Sequence, residues 1–317
     1  MRLVARTLRG IEDVLAEEIG GTVERVGHRE VWFRDYPAPL GLRTADDVFV
    51  VATTADRIGR TRADLASLAA AVDDIDLTRT LHDRSRCGGK ENCTGVDVSA
   101  SALGKRTYSR FDIEDVVGGR LAQRLRLPYW SRRDGVPPAN CLSWRVSVVG
   151  DEATIAVRIA ERPLHRREYR TASVPGSLHP PLAAALVRLA APRPGDVLFD
   201  PCCGAGTIPI EAARVPGVVA VGADIDPRAV AVARSNDPAG LVRWAVADAG
   251  RSPVRGADVI VSNPPWDRQV ATRGTLVPQR FSARRVVLLL PEHVDLGGQR
   301  RQVSLFGQRP VITVLDR

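Results

Sequence analysis

The segment VIVSNPPWD at residues 259–267 combines residue types that could hold a planar amino group. Its apolar run predicts a buried strand, and the two prolines that follow Asn263 cannot donate the hydrogen bonds that would extend a sheet. The side-chain amide of Asn263, the free carbonyl of Pro264 and the flat ring of Trp266 would form a clamp for a group that carries an NH2. A strand followed by a proline-rich loop with a core tryptophan is the simpler interpretation of this motif taken alone.

A second segment, DVLFDPCCGAGTIPIEAA, is typical of a cofactor-binding loop. It predicts a buried strand that ends at Asp200, a glycine loop, and a helix that opens at Thr207. Gly204 and Gly206 would let the backbone approach a ligand closely, with helix N-terminal amides directed at that ligand. Pro209 replaces the third glycine of a dinucleotide fingerprint, and no Gly-Lys-Ser/Thr follows, so NAD and nucleoside triphosphates are disfavoured.

The next two predicted strands also end on acidic residues. VVAVGADID ends at Asp224, which follows Asp200 by 24 residues, about where a carboxylate accepts hydrogen bonds from ribose hydroxyls. VRWAVADAG ends on Asp248, which is placed to accept from an adenine amino group. The pattern suits a ligand with a carboxylate, an amine and a ribose but no pyrophosphate, and S-adenosylmethionine is such a ligand.

The bulk composition is that of an ordinary soluble globular protein, with 44% hydrophobic and 26% charged residues among 317. A chain of this length can form two or three domains. No apolar stretch approaches the roughly 18 to 20 residues that a membrane span needs, and the first residues, MRLVARTLRG, lack the apolar region of a signal peptide. We therefore expect a cytoplasmic protein with no membrane contact.

The formal net charge of +8 is carried almost wholly by arginine and is spread over both halves of the chain. Such a mild excess fits nucleic-acid contact without requiring it. The five cysteines are scattered, so a disulfide framework is not expected. Cys87 and Cys93 are spaced too widely for a short metal-binding knuckle, and we expect no bound metal.

Hydrophobic periodicity divides the chain into three regions. Residues 1–58 predict a helix and strand-like runs, residues 59–170 predict a strand, a helix and a hairpin, and residues 171–317 predict long apolar strands with short helices. We expect each region to form a domain.

Arginines cluster where the second region ends, in the segment ERPLHRREYR. A solvated linker is the simpler interpretation of such a run, but its position between two predicted modules favours contact with RNA phosphates. A basic connector before the predicted helix of the second region adds two more arginines. The candidate phosphate contacts are Arg106, Arg110, Arg166, Arg167 and Arg170.

These motifs resemble those of the THUMP-domain class I RNA methyltransferases that form N2-methylguanosine. GIEDVLAEEI with VERVGHREVWF resembles their N-terminal ferredoxin-like domain, and the module ending in LHRREYR resembles their THUMP domain. DPCCGAGTIPIEAA and NPPW resemble their cofactor and catalytic motifs. The resemblance covers the whole chain and implies an α/β protein, in which ferredoxin-like and THUMP α+β modules precede a Rossmann-like class I methyltransferase domain.

The resemblance also implies an activity, which is S-adenosylmethionine-dependent methylation of guanosine N2, with tRNA as the favoured substrate. The Asn263 Oδ1 atom and the Pro264 carbonyl would accept the two N–H bonds of the amino group and turn its lone pair toward the sulfonium methyl. Trp266 would stack on a base flipped out of its helix. The cofactor would be held by Asp200, Gly204, Gly206, Thr207, Asp224 and Asp248.

Two features differ from the usual pattern of this family and keep other functions open. Trp266 is followed by Asp267 where the family has Tyr or Phe and then Gly, and only 18 residues, 267–284, precede the next strand, so the intervening helix must be short or missing. One alternative is a non-catalytic or weakly active RNA-binding relative, and another is a methyltransferase of 23S rRNA guanosine. A protein glutamine or DNA adenine N-methyltransferase is less favoured, because it has no need of a THUMP-like module. A monomer is favoured.

Overall fold

The computed structural model of the chain describes residues 1–251, 254–266 and 283–316. Two compact units are present. The first comprises Met1–Arg6, Ile19–Leu42 and Asp47–Leu164, and the second comprises Thr7–Glu18, Arg43–Asp46 and His165–Arg317. None of the helices among the described residues is long and apolar enough to cross a membrane.

The described residues form fourteen strands and seven α-helices. The strands are β1 (Arg2–Arg6), β2 (Val23–Gly27), β3 (Glu30–Arg34), β4 (Asp47–Ala55), β5 (Gly95–Ala102), β6 (Cys141–Val149), β7 (Glu152–Arg158), β8 (Val197–Asp200), β9 (Val219–Asp224), β10 (Arg243–Val246), β11 (Val259–Ser262), β12 (Arg285–Leu290), β13 (Gln299–Gln302) and β14 (Val311–Asp316). The helices are α1 (Glu12–Ile19), α2 (Leu65–Asp73), α3 (Leu77–Arg86), α4 (Arg110–Leu125), α5 (Pro180–Ala190), α6 (Thr207–Ala212) and α7 (Pro227–Ser235).

The first unit is built on one seven-stranded sheet in the order β2-β3-β1-β4-β7-β6-β5. Neighbouring strands are antiparallel except β5 and β6, which run parallel. Because β4 pairs with β7, strands from the first two predicted regions share a single sheet. The limits 1–58, 59–170 and 171–317 remain predictions for the domains.

Local sequence explains the helices that were predicted. Helix α1 ends at Ile19, and the next residue, Gly20, has a φ of +80°, a left-handed conformation that glycine adopts without steric cost. Helix α4 begins after Ser109, whose backbone amide donates to the Asp112 carboxylate at 2.7 Å while the Ser109 hydroxyl accepts from the Asp112 amide at 3.3 Å. This reciprocal pair satisfies two amides that a helix start otherwise leaves unpaired.

The second unit is built on a sheet in the order β10-β9-β8-β11-β12-β14-β13. The first five of these strands run parallel, whereas β14 is antiparallel to both of its neighbours. Strand β11 is buried throughout, and the buried cores on the two faces of the sheet explain why its strands read as continuous apolar runs. The predicted α/β fold class with a Rossmann-like C-terminal part is confirmed.

The strand order reverses direction between β8 and β11. The chain runs outward from β8 to β9 and β10, and then returns to the other side of β8. Because parallel strands end at the same edge of a sheet, the carboxyl ends of β8, β9 and β11 lie together there, where open α/β sheets bind ligands.

Candidate functional site

Two adjacent strands end in a buried hydrogen-bonded pair. Asp200, the last residue of β8, is 1% exposed, and its Oδ1 atom accepts from the Ser262 hydroxyl at 2.7 Å. The same atom accepts from the backbone amide of Cys202 at 3.1 Å. These bonds fix the Asp200 side chain at the start of the glycine loop, where it holds the backbone amide of Cys202.

Burial raises the pKa of Asp200 to about 7, and the nearby Asp224 carboxylate adds to this rise, although the hydrogen bonds from Ser262 and Cys202 oppose it. A raised pKa means that the folded protein holds this proton more tightly than the unfolded chain does. The protonated Asp200 carboxyl therefore contributes to the free energy of unfolding. This contribution is fully present below the pKa of an unfolded aspartate, about 4, and is lost as the pH rises through 7.

The first prediction is that Asp200→Asn flattens the dependence of stability on pH. Between pH 5 and pH 8, ionisation of Asp200 alone should lower the free energy of unfolding of the wild type by about 3 kcal/mol. The Asp200→Asn variant should not lose this stability, because its side chain does not ionise. Urea titrations at several pH values measure it, with the exposed Asp134→Asn as a control. Parallel pH profiles for the wild type and Asp200→Asn would show that Asp200 is already ionised in the fold.

The glycine loop between β8 and α6 requires glycine at two positions. Gly204 and Gly206 have φ values of +52° and +83°, in the left-handed region that favours glycine. A Cβ atom added at Gly206 would lie 2.5 Å from the Trp244 ring, so packing as well as backbone conformation excludes a side chain. Thr207, the first residue of α6, is buried directly behind this loop.

The acidic residue at the end of β9 is joined to the glycine loop. One oxygen of Asp224 accepts from the Gly204 amide at 2.9 Å, and the other accepts from the Asp226 amide at 3.0 Å. A carboxylate offers about four acceptor positions, so these bonds orient the group and leave capacity for two ribose hydroxyls. Asp248, which follows β10, is half-buried and accepts from the Gly250 amide at 2.8 Å.

The NPPW motif follows β11 directly. The Asn263 Oδ1 atom is buried and has no hydrogen-bond partner among the described residues. A buried acceptor without a partner costs free energy unless a ligand supplies a donor, so its presence at the ligand-binding edge of the sheet points to a polar ligand. Pro264 beside it is buried and Pro265 is exposed.

Trp266 is anchored in place rather than projecting freely. Its Nε1 atom donates to the Leu289 carbonyl at 3.1 Å, and its ring packs against the apolar core that includes Leu289 and Val261. The ring is only partly buried. Its predicted role in stacking on a flipped base remains a prediction, as do the roles of the other site residues.

The interpretation of the sequence missed one buried side chain of the site, Asn236, which is 1% exposed. Its Oδ1 atom accepts from the amides of Thr171 and Ala172 at 3.0 and 3.1 Å, and its Nδ2 group donates to the Ala205 carbonyl at 3.0 Å. Asn236 therefore ties the segment that enters this unit to the glycine loop. The local signal was only a polar residue at the end of α7, which does not identify distant partners.

The structure argues against a phosphate contact for one of the predicted arginines, Arg167. This residue is 7% exposed, and its Nε atom pairs with the Glu211 carboxylate at 3.2 Å. The guanidinium is committed to an internal ion pair, and burial lowers the pKa of Arg167. Arg167 is better explained as an anchor of the chain on α6 than as an RNA ligand.

The other four predicted arginines differ in their surroundings. The Arg106 guanidinium donates to the carbonyls of Gly59 at 2.9 Å and of Gly150, and Arg170 donates to the Leu178 carbonyl at 2.9 Å. The guanidinium groups of these two residues therefore already donate hydrogen bonds to backbone carbonyls within their own units. Arg110 and Arg166 are exposed, with Arg110 stacked 4.6 Å from the Phe111 ring centroid. The two exposed side chains are the better candidates for RNA contact.

All five cysteines are free thiols. Burial raises the pKa of Cys202 to about 12 and that of Cys203 well above the usual range, and Asp200 adds to both rises. These thiols beside the glycine loop are therefore protonated and unsuited to nucleophilic chemistry. The predicted consequences of Asp267 and of a short or missing helix after it lie outside the described residues.

The sequence and the fold of the chain are similar to those of known methyltransferases. The family described as RMKL-like, methyltransferase domain matches residues 167–281, which include the glycine loop and Asn263. A tRNA (guanine(6)-N2)-methyltransferase of Thermus thermophilus is 32% identical over 98% of this chain and 90% of its own length. The crystal structure of TrmN from Thermus thermophilus is 28% identical, with a TM-score of 0.79 over 100% of this chain and 99% of that chain.

A further relative shares a smaller part of the chain. The tRNA (guanine(10)-N2)-dimethyltransferase of Methanothermobacter thermautotrophicus is 35% identical over 68% of this chain. The matched region spans 61% of the length of that relative. The likeness to the Thermus thermophilus protein, by contrast, extends over both units of the chain.

Proposed function

We propose that the chain, which belongs to the family of the tRNA (guanine-N2)-methyltransferases, methylates the N2 amino group of a guanosine in tRNA. S-adenosylmethionine is the methyl donor. The single observation that carries the chemistry is the buried Asn263 Oδ1 atom directly after β11, which has no hydrogen-bond partner in the part of the chain that the structure describes. A guanine amino group would supply an N–H donor to this acceptor.

The residues of the cofactor site fit the proposed donor. Gly204 has no side chain, so a ligand can lie against the backbone at this position of the loop after β8, whereas Gly206 packs closely against the Trp244 ring. Asp224 is held by two amides at the end of β9 with acceptor capacity remaining for ribose hydroxyls. When bound, S-adenosylmethionine supplies an electrophilic methyl group on a sulfonium.

The role of the chain in the reaction is to orient a weak nucleophile. The lone pair of guanine N2 is delocalised into the ring, so the free amino group reacts poorly. Acceptors at Asn263 Oδ1 and the Pro264 carbonyl hold the two N–H bonds and direct the lone pair out of the ring plane toward the methyl group. Fixed acceptors also stabilise the positive charge that develops on N2, so positioning and electrostatics account for most of the catalysis.

The position of the target nucleotide is suggested by the relatives. The Thermus thermophilus protein that matches almost the whole chain is named for guanine 6 of tRNA, and the shorter match is named for guanine 10. We propose guanosine 6, because the match to the first covers both units. Ribosomal RNA guanosine is the second candidate substrate.

Mass spectrometry of nucleosides and of RNase-derived oligonucleotides, from tRNA and rRNA of a deletion strain, tests the proposed function. We expect N2-methylguanosine at position 6 to disappear from tRNA and to return when the wild-type gene is restored. Loss from 23S rRNA alone would support the ribosomal alternative. Unchanged N2-methylguanosine in both RNA pools would contradict the proposal and favour a non-catalytic RNA-binding relative.

The second prediction concerns cofactor binding. Asp224→Ala should weaken S-adenosylmethionine binding by about 1 to 3 kcal/mol, because charge-assisted hydrogen bonds to the ribose are lost and the Gly204 amide loses its acceptor. Isothermal titration calorimetry measures the change, with the exposed Asp134→Ala as a matched control. An unchanged affinity in Asp224→Ala would contradict the ribose assignment.

The third prediction concerns RNA binding. Arg110→Glu and Arg166→Glu should each weaken tRNA binding and reduce the slope of log affinity against log salt by about 0.7 to 0.9 for each lost phosphate contact. S-adenosylmethionine affinity should not change, because both side chains are exposed and neither is among the predicted cofactor ligands. Filter binding at several salt concentrations measures the slope.

Arg188→Glu provides the control for charge reversal. Arg188 is exposed near the end of α5, and its neighbour Leu189 accepts from Arg285 at the start of β12, away from the carboxyl ends of the strands. Its salt slope should equal that of the wild type. If the Arg110 and Arg166 variants behave like this control, the two residues are solvated surface charges.

Cellular location and oligomeric state belong to the same proposal. A tRNA substrate is consistent with a cytoplasmic enzyme, and one chain contains both the proposed RNA contacts and the proposed catalytic residues. We therefore propose a cytoplasmic monomer. Light scattering of the purified protein with and without tRNA measures the number of chains in the complex.

A further inference from the structure

A cluster of three side chains with metal-ligand chemistry lies in the second unit, outside the methyltransferase site. Asp46 directly precedes β4, His165 lies at the start of the long C-terminal part of this unit, and His179 is the residue before α5. The two histidines are 14 positions apart, and Asp46 is more than a hundred positions before either. Nothing in the sequence pattern joins the three residues, which only the fold brings together.

The ligand atoms of these residues are close enough for one ion to reach all three. One ligand atom from each lies within 4.8 Å of the other two. The His179 Nδ1 and Asp46 Oδ1 atoms are 3.6 Å apart, which is longer than a good hydrogen bond. Two ligands of a tetrahedral ion with bonds of about 2.1 Å are separated by ~3.4 Å, which is close to this distance.

The His165 ring is oriented in the way that metal-binding histidines usually are. Its Nδ1 atom lies 3.3 Å from the Asp46 carbonyl oxygen, and its backbone amide donates to the same oxygen at 3.0 Å. A carbonyl oxygen can only accept, so Nδ1 carries the proton in this contact and Nε2 is the ring nitrogen that would bind a metal ion. A second ring nitrogen that donates to a carbonyl is the usual arrangement that fixes the tautomer of a metal-bound histidine.

The remaining surroundings are compatible with an ion that keeps one open position. The His165 and His179 rings face one another with centroids 5.2 Å apart and an interplanar angle of 31°, and the Phe306 ring lies edge-on to His179 at 6.2 Å. The side chains of His179 and Asp46 are 13% and 17% exposed. Water can therefore reach the cluster and complete a four-coordinate site.

We propose that Asp46, His165 and His179 bind one Zn²⁺ ion. Two imidazole nitrogens and one carboxylate oxygen form a ligand set that zinc and its first-row neighbours prefer, whereas Mg²⁺ and Ca²⁺ prefer all-oxygen sets. The ion would link the two ends of residues 165–179, the segment that carries Arg166 and Arg170, to Asp46. The proposal does not depend on the identity of the methylated RNA.

Zinc retention by the untagged full-length protein tests this site. The protein is dialysed against EDTA, equilibrated with ZnSO4, desalted and analysed by inductively coupled plasma mass spectrometry. We expect about one zinc per chain in the wild type and an affinity at least 10-fold lower in His165→Ala, His179→Ala and Asp46→Asn. The exposed His293→Ala should bind zinc like the wild type.

Cobalt substitution shows whether the ion uses these ligands rather than the free thiols. Co²⁺ bound to nitrogen and oxygen ligands should give visible d–d bands without a thiolate-to-cobalt charge-transfer band, and His179→Gln should abolish those bands. His179→Gln also replaces His179→Ala if the alanine variant fails to fold by circular dichroism. Absence of zinc from the wild type, zinc retention unchanged in all three ligand variants, or a thiolate band would overturn the proposal and leave Asp46 and His179 as a simple ion pair.

Discussion

Asn263→Ala is expected to abolish methyl transfer while leaving the affinity for S-adenosylmethionine nearly unchanged. The removed Oδ1 atom is buried without a partner among the described residues, and the cofactor loop is held by other residues, Asp200, Asp224 and Asn236. Loss of one fixed polar group that stabilises charge in a transition state costs about 100- to 1,000-fold in rate. Since the same group also orients the amino group, we expect an effect at the upper end of this range or beyond.

Two further variants separate catalysis from folding in this experiment. Asn263→Asp keeps an acceptor oxygen at the same position, so it should retain more activity than Asn263→Ala. Asn92→Ala removes an exposed asparagine and should have wild-type activity. Single-turnover assays with tRNA give the rate, and calorimetry gives the cofactor affinity. Wild-type turnover in Asn263→Ala would show that this clamp does not orient the substrate.

The fold of the second unit could be predicted because its sequence signals are local. Apolar runs that end on Asp200, Asp224 and Asn263 identify parallel strands, and parallel strands bring their carboxyl ends to one edge. Gly206 was recognisable from its place in a glycine loop between an apolar run and a helix, and the structure explains the glycine because a left-handed backbone conformation and the contact with Trp244 both exclude a side chain. A site built from strand ends and a glycine loop can therefore be located from spacing alone.

Side chains whose partners lie far along the chain could not be predicted in the same way. Arg167 has the local context of a solvated or RNA-binding arginine, yet it pairs with Glu211, 44 positions later. Asn236 likewise bonds to Thr171, and Asp46 lies beside His165 and His179, although these neighbours are far away along the chain. A periodic pattern reports which face of an element is buried, but it does not report which polar groups meet there.

The pairing of strands in the first unit shows the same limit at a larger scale. Residues 1–58 and 59–170 each have the local pattern of a small α/β module, from which α1, α4 and the β6–β7 hairpin were predicted, whereas β1 was not. The antiparallel pairing of β4 with β7 joins strands from both stretches in one sheet. Such pairing depends on side-chain packing between strands about a hundred residues apart, which local alternation does not specify.

Glu211→Ala should cause the largest loss of stability among these variants. Glu211 is 4% exposed and accepts from Arg43 at 2.8 and 2.9 Å, from Arg167 at 3.2 Å and from the Tyr169 hydroxyl at 2.8 Å. Removing the carboxylate takes away the charge that Glu211 places beside the buried Arg167 guanidinium, and breaking a buried ion pair typically costs about 3 to 5 kcal/mol. In a domain of this size the melting temperature should fall by roughly 6 to 20 °C.

Three further variants distinguish the cost of an unpaired Arg167 charge from the cost of lost contacts around Glu211. Glu17→Ala, on the exposed face of α1, should melt like the wild type. Glu211→Leu combined with Arg167→Met should melt higher than Glu211→Leu alone, because the double variant buries no isolated Arg167 charge, although Arg43 still loses its partner. Differential scanning calorimetry measures the wild type and the four variants. If the double variant were the less stable of the two, the cost would come from packing around α6 rather than from the buried guanidinium, and the role of Arg167 as an internal anchor would need a different explanation.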